Sequence, residues 1–382
     1  MPSYVPLSQG NAILKHGWLY SALTLLDNEV SHPDYSLGLT HLEPHLLTNA
    51  TTQRPGVLPS QANKTSAMKL VIIDSHLVDE EPDNYDSNFH SAEDAPGLGI
   101  PNEKASHFKR WLPLILRSQN IDPNKIQTIC LSQSQGRLLL DAAQSSLHTR
   151  KLNGMYAEEL ADDIVPVFSK LIFPPEGLFL RLDSCSPKDG TGTTKPLRTT
   201  EEIILRLTTS HRAMRAVTDL LRRDIPSIDL IFLPHNDRMK PDHEFRVFCA
   251  PPLAKIRGVS QYRWHEPFVF RGRPMDEVED ITKKVMKGIE LIREEILEEA
   301  KTGKGGELDA LVPKQGFTFD VIYDELTGKT SLIELNSFGA RSGCGSCLFH
   351  WIRDRNVLYR ENFPIGDVSE NIDWEVEFRI SM

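Results

Sequence analysis

FTFDVIYDELTGKTSLIELN, residues 317 to 336, sets two alternating runs of apolar residues on either side of a short polar segment. Period-two alternation marks strands with one buried face, so the stretch reads as a β-hairpin. Leu326, Thr327 and Gly328 fit a three-residue loop, with Gly328 in the left-handed conformation that glycine adopts without steric cost. Glu325 then faces Lys329. Counting back by twos puts Ile322 opposite Leu332, Asp320 opposite Glu334 and Thr318 opposite Asn336, all on one face. The other face holds Phe317, Phe319, Val321 and Tyr323 against Ser331, Ile333 and Leu335, and is expected to be core.

Two carboxylates directly across a strand pair repel, the more so away from water. A basic side chain, a proton shared between the acids, or a bound cation has to compensate. Asp320, Glu334 and Asn336 offer hard oxygen ligands of the kind magnesium takes while it keeps waters or binds substrate phosphates. The plainer alternative is a solvated polar face whose acids find nearby lysines.

The 382 residues, 25% of them charged, suffice for one large or two moderate domains with a buried core. A formal net charge of -10 argues against a general nucleic-acid binder, which carries a basic surplus. No window approaches the roughly 18 unbroken apolar residues of a membrane span, and the N-terminal residues lack a basic segment followed by an apolar core. A cytoplasmic monomer with no membrane or direct nucleic-acid partner is the expectation. The five cysteines are few and odd in number, which fits a reducing compartment. Cys344-Gly-Ser-Cys347 has the spacing of a redox pair or half a zinc site but lacks a second such pair.

Residues 1–105 differ from the rest: a polar, proline-containing linker ends at Ala67, and VDEEPDNYDSNFHSAEDAPG (78–97) is acidic with little apolar periodicity. This third is expected to be a largely disordered extension, with a short helix over Ala12 to Leu26 and idle glycosylation sequons at Asn49 and Asn63. A domain over 106–365 and a tail over 366–382 follow. Within the domain, GLFLRL (177–182), IDLIFLP (228–234) and HEFRVFC (243–249) read as strands. Thr199 and Glu202 form a capping-box pattern that opens one helix running to Arg223. Val278, Ile281, Val285, Ile289, Ile292 and Ile296 recur at steps of three or four along the longest helix. Strands followed by long single helices indicate an α/β or α+β fold with mixed sheets.

If the hairpin binds magnesium, a polyphosphate beside it needs cations of its own. Arg181 and Arg246 sit inside strands, Lys188 in a turn, and Arg257 and Arg263 near the end of the next apolar run. Gly190-Thr-Gly192 is either a phosphate-wrapping turn or a plain loop. No Ser-His-Asp order, HExxH or P-loop motif is present.

The order LRLDSCSPKDG, IFLP, HEFRVF, GVSQYRW, a long helix, FTFDVIYDE, LIELNSFG and LFHW resembles the cell division cycle protein 123 family over roughly His107 to Tyr359, with HFKRWLPLILR around Trp111 as its opening segment. The resemblance implies an ATP-grasp fold whose two lobes hold ATP and magnesium in the cleft between them. It also implies assembly of translation initiation factor two through binding of its gamma subunit, a role tied to the cell cycle. It makes Asp320, Glu334 and Asn336 the magnesium ligands. Arg246 becomes a phosphate contact, with Arg181, Lys188 and Arg263 as further cations, and Ile231, Phe232 and Leu233 the hinge whose backbone meets adenine. Arg181 stands where the family has lysine, Glu334 where it has aspartate, and Tyr262 where arginine is frequent. The stretch SFGARSGCGSCLFHW is longer than the family's. These departures mark a diverged member.

Three functions remain open at this stage: a non-catalytic ATP-binding assembly chaperone, an active ATP-grasp ligase joining a carboxylate to a nucleophile through an acyl phosphate, and a scaffold with a structural nucleotide. Under the first two, Asp320→Ala is expected to lose magnesium-dependent binding and keep its fold, because the apolar face of the hairpin is untouched.

Overall fold

The computed structural model describes residues 67–193, 195–303, 305–360 and 375–382. The Ala12 to Leu26 helix and the sequons at Asn49 and Asn63 lie outside them. Nine strands are present among the described residues: β1 (Met68–Ile73), β2 (Gln127–Ser132), β3 (Leu178–Arg181), β4 (Ser227–Pro234), β5 (Glu244–Ala250), β6 (Lys255–Gln261), β7 (Phe317–Asp324), β8 (Lys329–Ser337) and β9 (Val376–Ser381). Six make a mixed sheet in the order β1-β9-β6-β5-β7-β8, and three make an antiparallel sheet in the order β2-β4-β3. Both β1–β9 and β9–β6 are parallel pairs. The fold is mixed α/β, as the strand and helix pattern predicts.

The hairpin forms with its two acids opposed, Asp320 to Glu334 and Thr318 to Asn336. The turn differs from the expectation. Asp324 faces Lys329, so the loop has four residues, and a bulge between Asp320 and Val321 takes up the extra residue of β8. The two departures cancel at the acids. Beyond the bulge they move Leu332 onto the core face, opposite Val321, where Ile333 was expected. Gly328 closes the turn at φ +67°.

Nine α-helical segments accompany the strands among the described residues: α1 (Ser75–Glu80), α2 (Phe108–Gln119), α3 (Gln133–Thr149), α4 (Ala157–Glu159), α5 (Thr200–Thr208), α6 (His211–Arg222), α7 (Met275–Thr302), α8 (Glu307–Gln315) and α9 (Arg355–Leu358). Phe108, Trp111 and Leu114 of α2 and the Val278–Ile296 stripe of α7 bury against Phe245, Phe319, Val321 and Leu335 on one face of the large sheet. A second core joins α3, α5 and α6 to the small sheet through Leu139, Ile203, Leu207, Val217 and Phe232. Strand β4 serves both: Leu230 and Phe232 point into the second core, Ile231 and Leu233 into the first.

Three expectations are corrected by this arrangement. Residues 67–105 are not a structureless part of an extension: β1 lies in the large sheet, and Ala95 is buried in a third cluster with Phe248, Phe349 and Trp351. The residues at 376–381 are not a tail; β9 sits inside the sheet between β1 and β6. The single helix from Thr199 is two, broken after Thr208. Thr208 and Thr209 donate their hydroxyls to the carbonyls of Ile204 and Leu205, and Ser210 caps a new helix by accepting from the Ala213 amide at 3.0 Å. Asp189 reinforces that start, accepting from Ser210 Oγ and the Arg212 amide.

Candidate functional site

On the face of the large sheet away from α2 and α7, β5, β7 and β8 bring Arg246, Asp320 and Glu334 into one row, since Arg246 opposes Asp320 and Asp320 opposes Glu334. Arg246 donates Nε and Nη2 to the two Asp320 oxygens at 2.8 and 2.7 Å, and Asp320 is fully buried. Glu334 is closed from the other sheet: Arg181, at the end of β3, reaches its Oε2 at 2.5 Å while stacking over the Phe108 ring. Each acid therefore has its own guanidinium, so a basic side chain is what compensates the facing carboxylates here. Asn336 donates Nδ2 to Asp320 at 3.3 Å.

A third carboxylate joins the row. Glu244 of β5 is buried, its Oε1 lies 3.8 Å from Lys188 Nζ, and that oxygen has no hydrogen-bond partner. Lys188, about a third exposed, also reaches the Tyr262 hydroxyl at 3.4 Å. Two cations lie close to the Tyr262 ring, Lys188 Nζ 4.8 Å and the Arg246 guanidinium 5.0 Å from its centroid.

These surroundings set the protonation of the row. Burial pushes the Glu244 carboxyl up to about 7, against the pull of Lys188. Burial also acts to raise Glu334, but Arg181, Lys188 and Arg212 outweigh it and hold that carboxyl well below the usual carboxylate range. Arg246, disfavoured by burial but paired to Asp320, is held firmly protonated. For Lys188 the loss of water is outweighed by Glu244, and its ammonium titrates above the ordinary lysine value. The result is three acids and three bases packed where the fold alone would place apolar side chains.

Other candidates fall elsewhere. Arg263 is half-exposed and paired to Asp242 at 3.0 Å and Glu266 at 2.7 Å, away from the row. Ile231 and Phe232 lie in the middle strand of the small sheet, paired to β2 on one side and β3 on the other, so their backbone groups are spent in the ladder. Among the described residues Leu233 has a ladder partner in β3, Phe179, and none in β2. The Gly190–Gly192 turn is turned against α5: the Thr191 amide donates to Thr209 Oγ1, and Gly192 O accepts from Arg206. Cys344 and Cys347 are free and buried, and burial pushes the Cys344 thiol up to about 11, which keeps it protonated at neutral pH. Among the described residues no cluster of three or more His, Cys, Asp or Glu side chains is arranged to hold a metal ion. Nor is any helix there long and apolar enough to cross a membrane.

Sequence reading passed over Glu244, Tyr262 and Arg212 as site residues. The first two flank Arg246 and GVSQ, and an acid two residues before an in-strand arginine was the available signal.

No protein-family profile matches the chain, and no curated protein sequence matches it. Among solved structures, that of Cdc123 from Schizosaccharomyces pombe aligns with a TM-score of 0.45 and 19% identity, covering 75% of this chain and 99% of that one. The chain is similar to Cdc123. A C-terminally truncated Cdc123 from the same yeast aligns with the same TM-score and identity, covering 74% of this chain and 100% of that one.

Proposed function

We propose that the charged row binds ATP with magnesium, and that the protein is a cytoplasmic, ATP-binding assembly chaperone for translation initiation factor two, engaging its gamma subunit. The observation that carries the nucleotide part is the array of buried Asp320, Glu334, Glu244, Arg181 and Arg246 with the partly exposed Lys188 beside them. Removing that many charges from water is expensive, and such groups gather where chemistry or binding needs them. By type the donors match the two ligands, and for an ion to enter, Arg246 and Arg181 have to pass from the Asp320 and Glu334 carboxylates to the phosphates. Carboxylate and amide oxygens of Asp320, Glu334 and Asn336 suit magnesium, and the unpartnered Glu244 Oε1 is a further hard oxygen beside them. Arg246, Arg181 and Lys188 suit phosphate oxygens. Bound magnesium would supply charge neutralisation for the phosphates. The chain's own part is to hold the phosphates with cations on two different sheets, Arg246 on β5 and Arg181 on β3, so that ligand binding ties the sheets together. The gamma-subunit partner and the ATP-grasp character rest on the family resemblance.

The test is calorimetric titration of ATP, with and without magnesium, into the wild type and Asp320→Asn, which keeps the shape and one of the two acceptor oxygens while removing the charge. Magnesium-dependent binding in the wild type, weakened at least tenfold in the variant, is expected. Binding indifferent to both magnesium and Asp320 would overturn the assignment. Capture of the gamma subunit from a cell extract tests the partner, and ADP release requiring both an acid and an amine would replace the chaperone with a ligase.

A further inference from the structure

The residues Tyr85–His90 make a belt that the charged row does not explain. Asp86 donates its amide to Cys347 O at 2.8 Å and to Phe349 O at 3.0 Å, and its carboxylate accepts from the Cys347 amide at 2.9 Å. The Trp351 amide donates to Ser87 Oγ, and the Phe89 and His90 amides donate to Ser342 O and Ala340 O, each at 2.9 Å. Tyr85 stacks on Trp264 with centroids 6.3 Å apart. The belt is thus laid along the loop 338–351 that follows β8. The half-exposed Phe89 ring rests on Gly343 of that loop and also reaches beyond it, with the Arg215 guanidinium 5.1 Å from its centroid.

Arg215 belongs to α6, on the small sheet's side, and stands one helical turn from Arg212, whose charge acts on Glu334. The loop flanks the other half of the row, where Gly345 O accepts from Arg246 Nη1 at 2.8 Å. Asp86 packs so closely on Gly345 that a Cβ there would collide with its carboxylate, and Arg246 is among the charges acting on Asp86. Asp86 and Phe89 both hold positive φ, 44° and 50°, without being glycine. A bulky aromatic residue in that region is strained and persists only where its surroundings hold it; such residues gather at clamps and switches.

We propose that Tyr85–His90 is a strap that fastens the 338–351 loop to helix α6 beside the charged row, with Phe89–Arg215 as its releasable end, and that it gates ligand entry. The gating half rests on the nucleotide reading; the fastening half does not.

Two exposed changes test it in the full chain, Phe89→Ala and Arg215→Gln. Loss of an exposed cation–π contact corresponds to about a two- to fivefold rise in opening, so deuterium exchange at the Phe89 and His90 amides is expected to rise by that factor in ligand-free protein, with exchange in β5 and β7 unchanged. Stopped-flow association of magnesium-ATP is expected to quicken by a similar factor, and Arg215→Lys to restore both. Unaltered exchange in both variants would overturn the strap. Faster exchange with an unaltered association rate would overturn the gate. No nucleotide binding by any of the proteins would overturn the nucleotide reading and the gate with it, leaving exchange to decide the fastening.

Discussion

Replacing Asp320 by alanine is a stability experiment before it is a binding experiment. In the fold, Arg246 gives two hydrogen bonds to Asp320 and one to Gly345 O, and both charged side chains are buried. Alanine leaves the guanidinium with the Gly345 carbonyl as the one hydrogen-bond acceptor that remains of the three bonds named. Breaking a buried pair from one side costs about 3–5 kcal/mol. Glu244 and Glu334 remain as nearby negative charge, which places the expected loss at the lower end, about 3 kcal/mol. The loss that an intact apolar face was expected to prevent therefore enters through the polar one. Urea unfolding followed by tryptophan fluorescence on Asp320→Ala, Arg246→Met and the double variant closes the cycle. The double variant removes both charges together and is expected within about 1 kcal/mol of the wild type. A single-variant loss under about 1 kcal/mol, or a double-variant loss as large as the sum of the singles, would refute the account of the pair.

Three further outcomes follow from the same structure. The Glu244 carboxyl is raised to about 7 in the folded state, so its contribution is fully present below the unfolded value of 4.5 and lost as pH rises through 7; unfolding at pH 5 and 8 should show a flatter dependence in Glu244→Gln than in the wild type, by up to about 3 kcal/mol. Gly258→Ala would set a Cβ 2.7 Å from the Phe349 ring, which is fixed by Phe248 and Arg379, and should lower stability by about 1–3 kcal/mol with the lost Phe248–Phe349 edge contact visible in aromatic circular dichroism. Ser210→Ala removes the α6 cap and leaves Asp189 without its hydroxyl partner; a loss of about 1 kcal/mol in the urea midpoint analysis is expected.

The facing acids could be read from the sequence because alternation survives errors at a distance: the loop was one residue longer than its glycine implied, yet the bulge after Asp320 restored the pairing. The long helix α7 was equally legible, since its isoleucine stripe spans many turns of one face. Helix α3 was not, because SQSQG looks like a turn until the reciprocal Ser132–Gln135 cap is seen to start a helix. Strands β1 and β9, six residues each, are longer than β3, but they adjoin stretches of polar and acidic sequence, and what pairs them is each other, some three hundred positions apart. The site divides along the same line. Asp320, Glu334 and Arg246 lie on strands whose faces can be counted, whereas the Arg181 bridge to Glu334 and the approach of Lys188 to Tyr262 depend on how distant segments meet, which no local pattern records.

The place of β9 has a consequence for any shortened version of this protein. Among the described residues β1 hydrogen-bonds to no strand but β9, and β9 alone joins it to β6. Trimming back past Val376 would therefore unmoor residues 68–73 as well. Protease nicking on the carboxyl side should be detected first as new susceptibility near Met68, a fraying that travels backwards along the numbering.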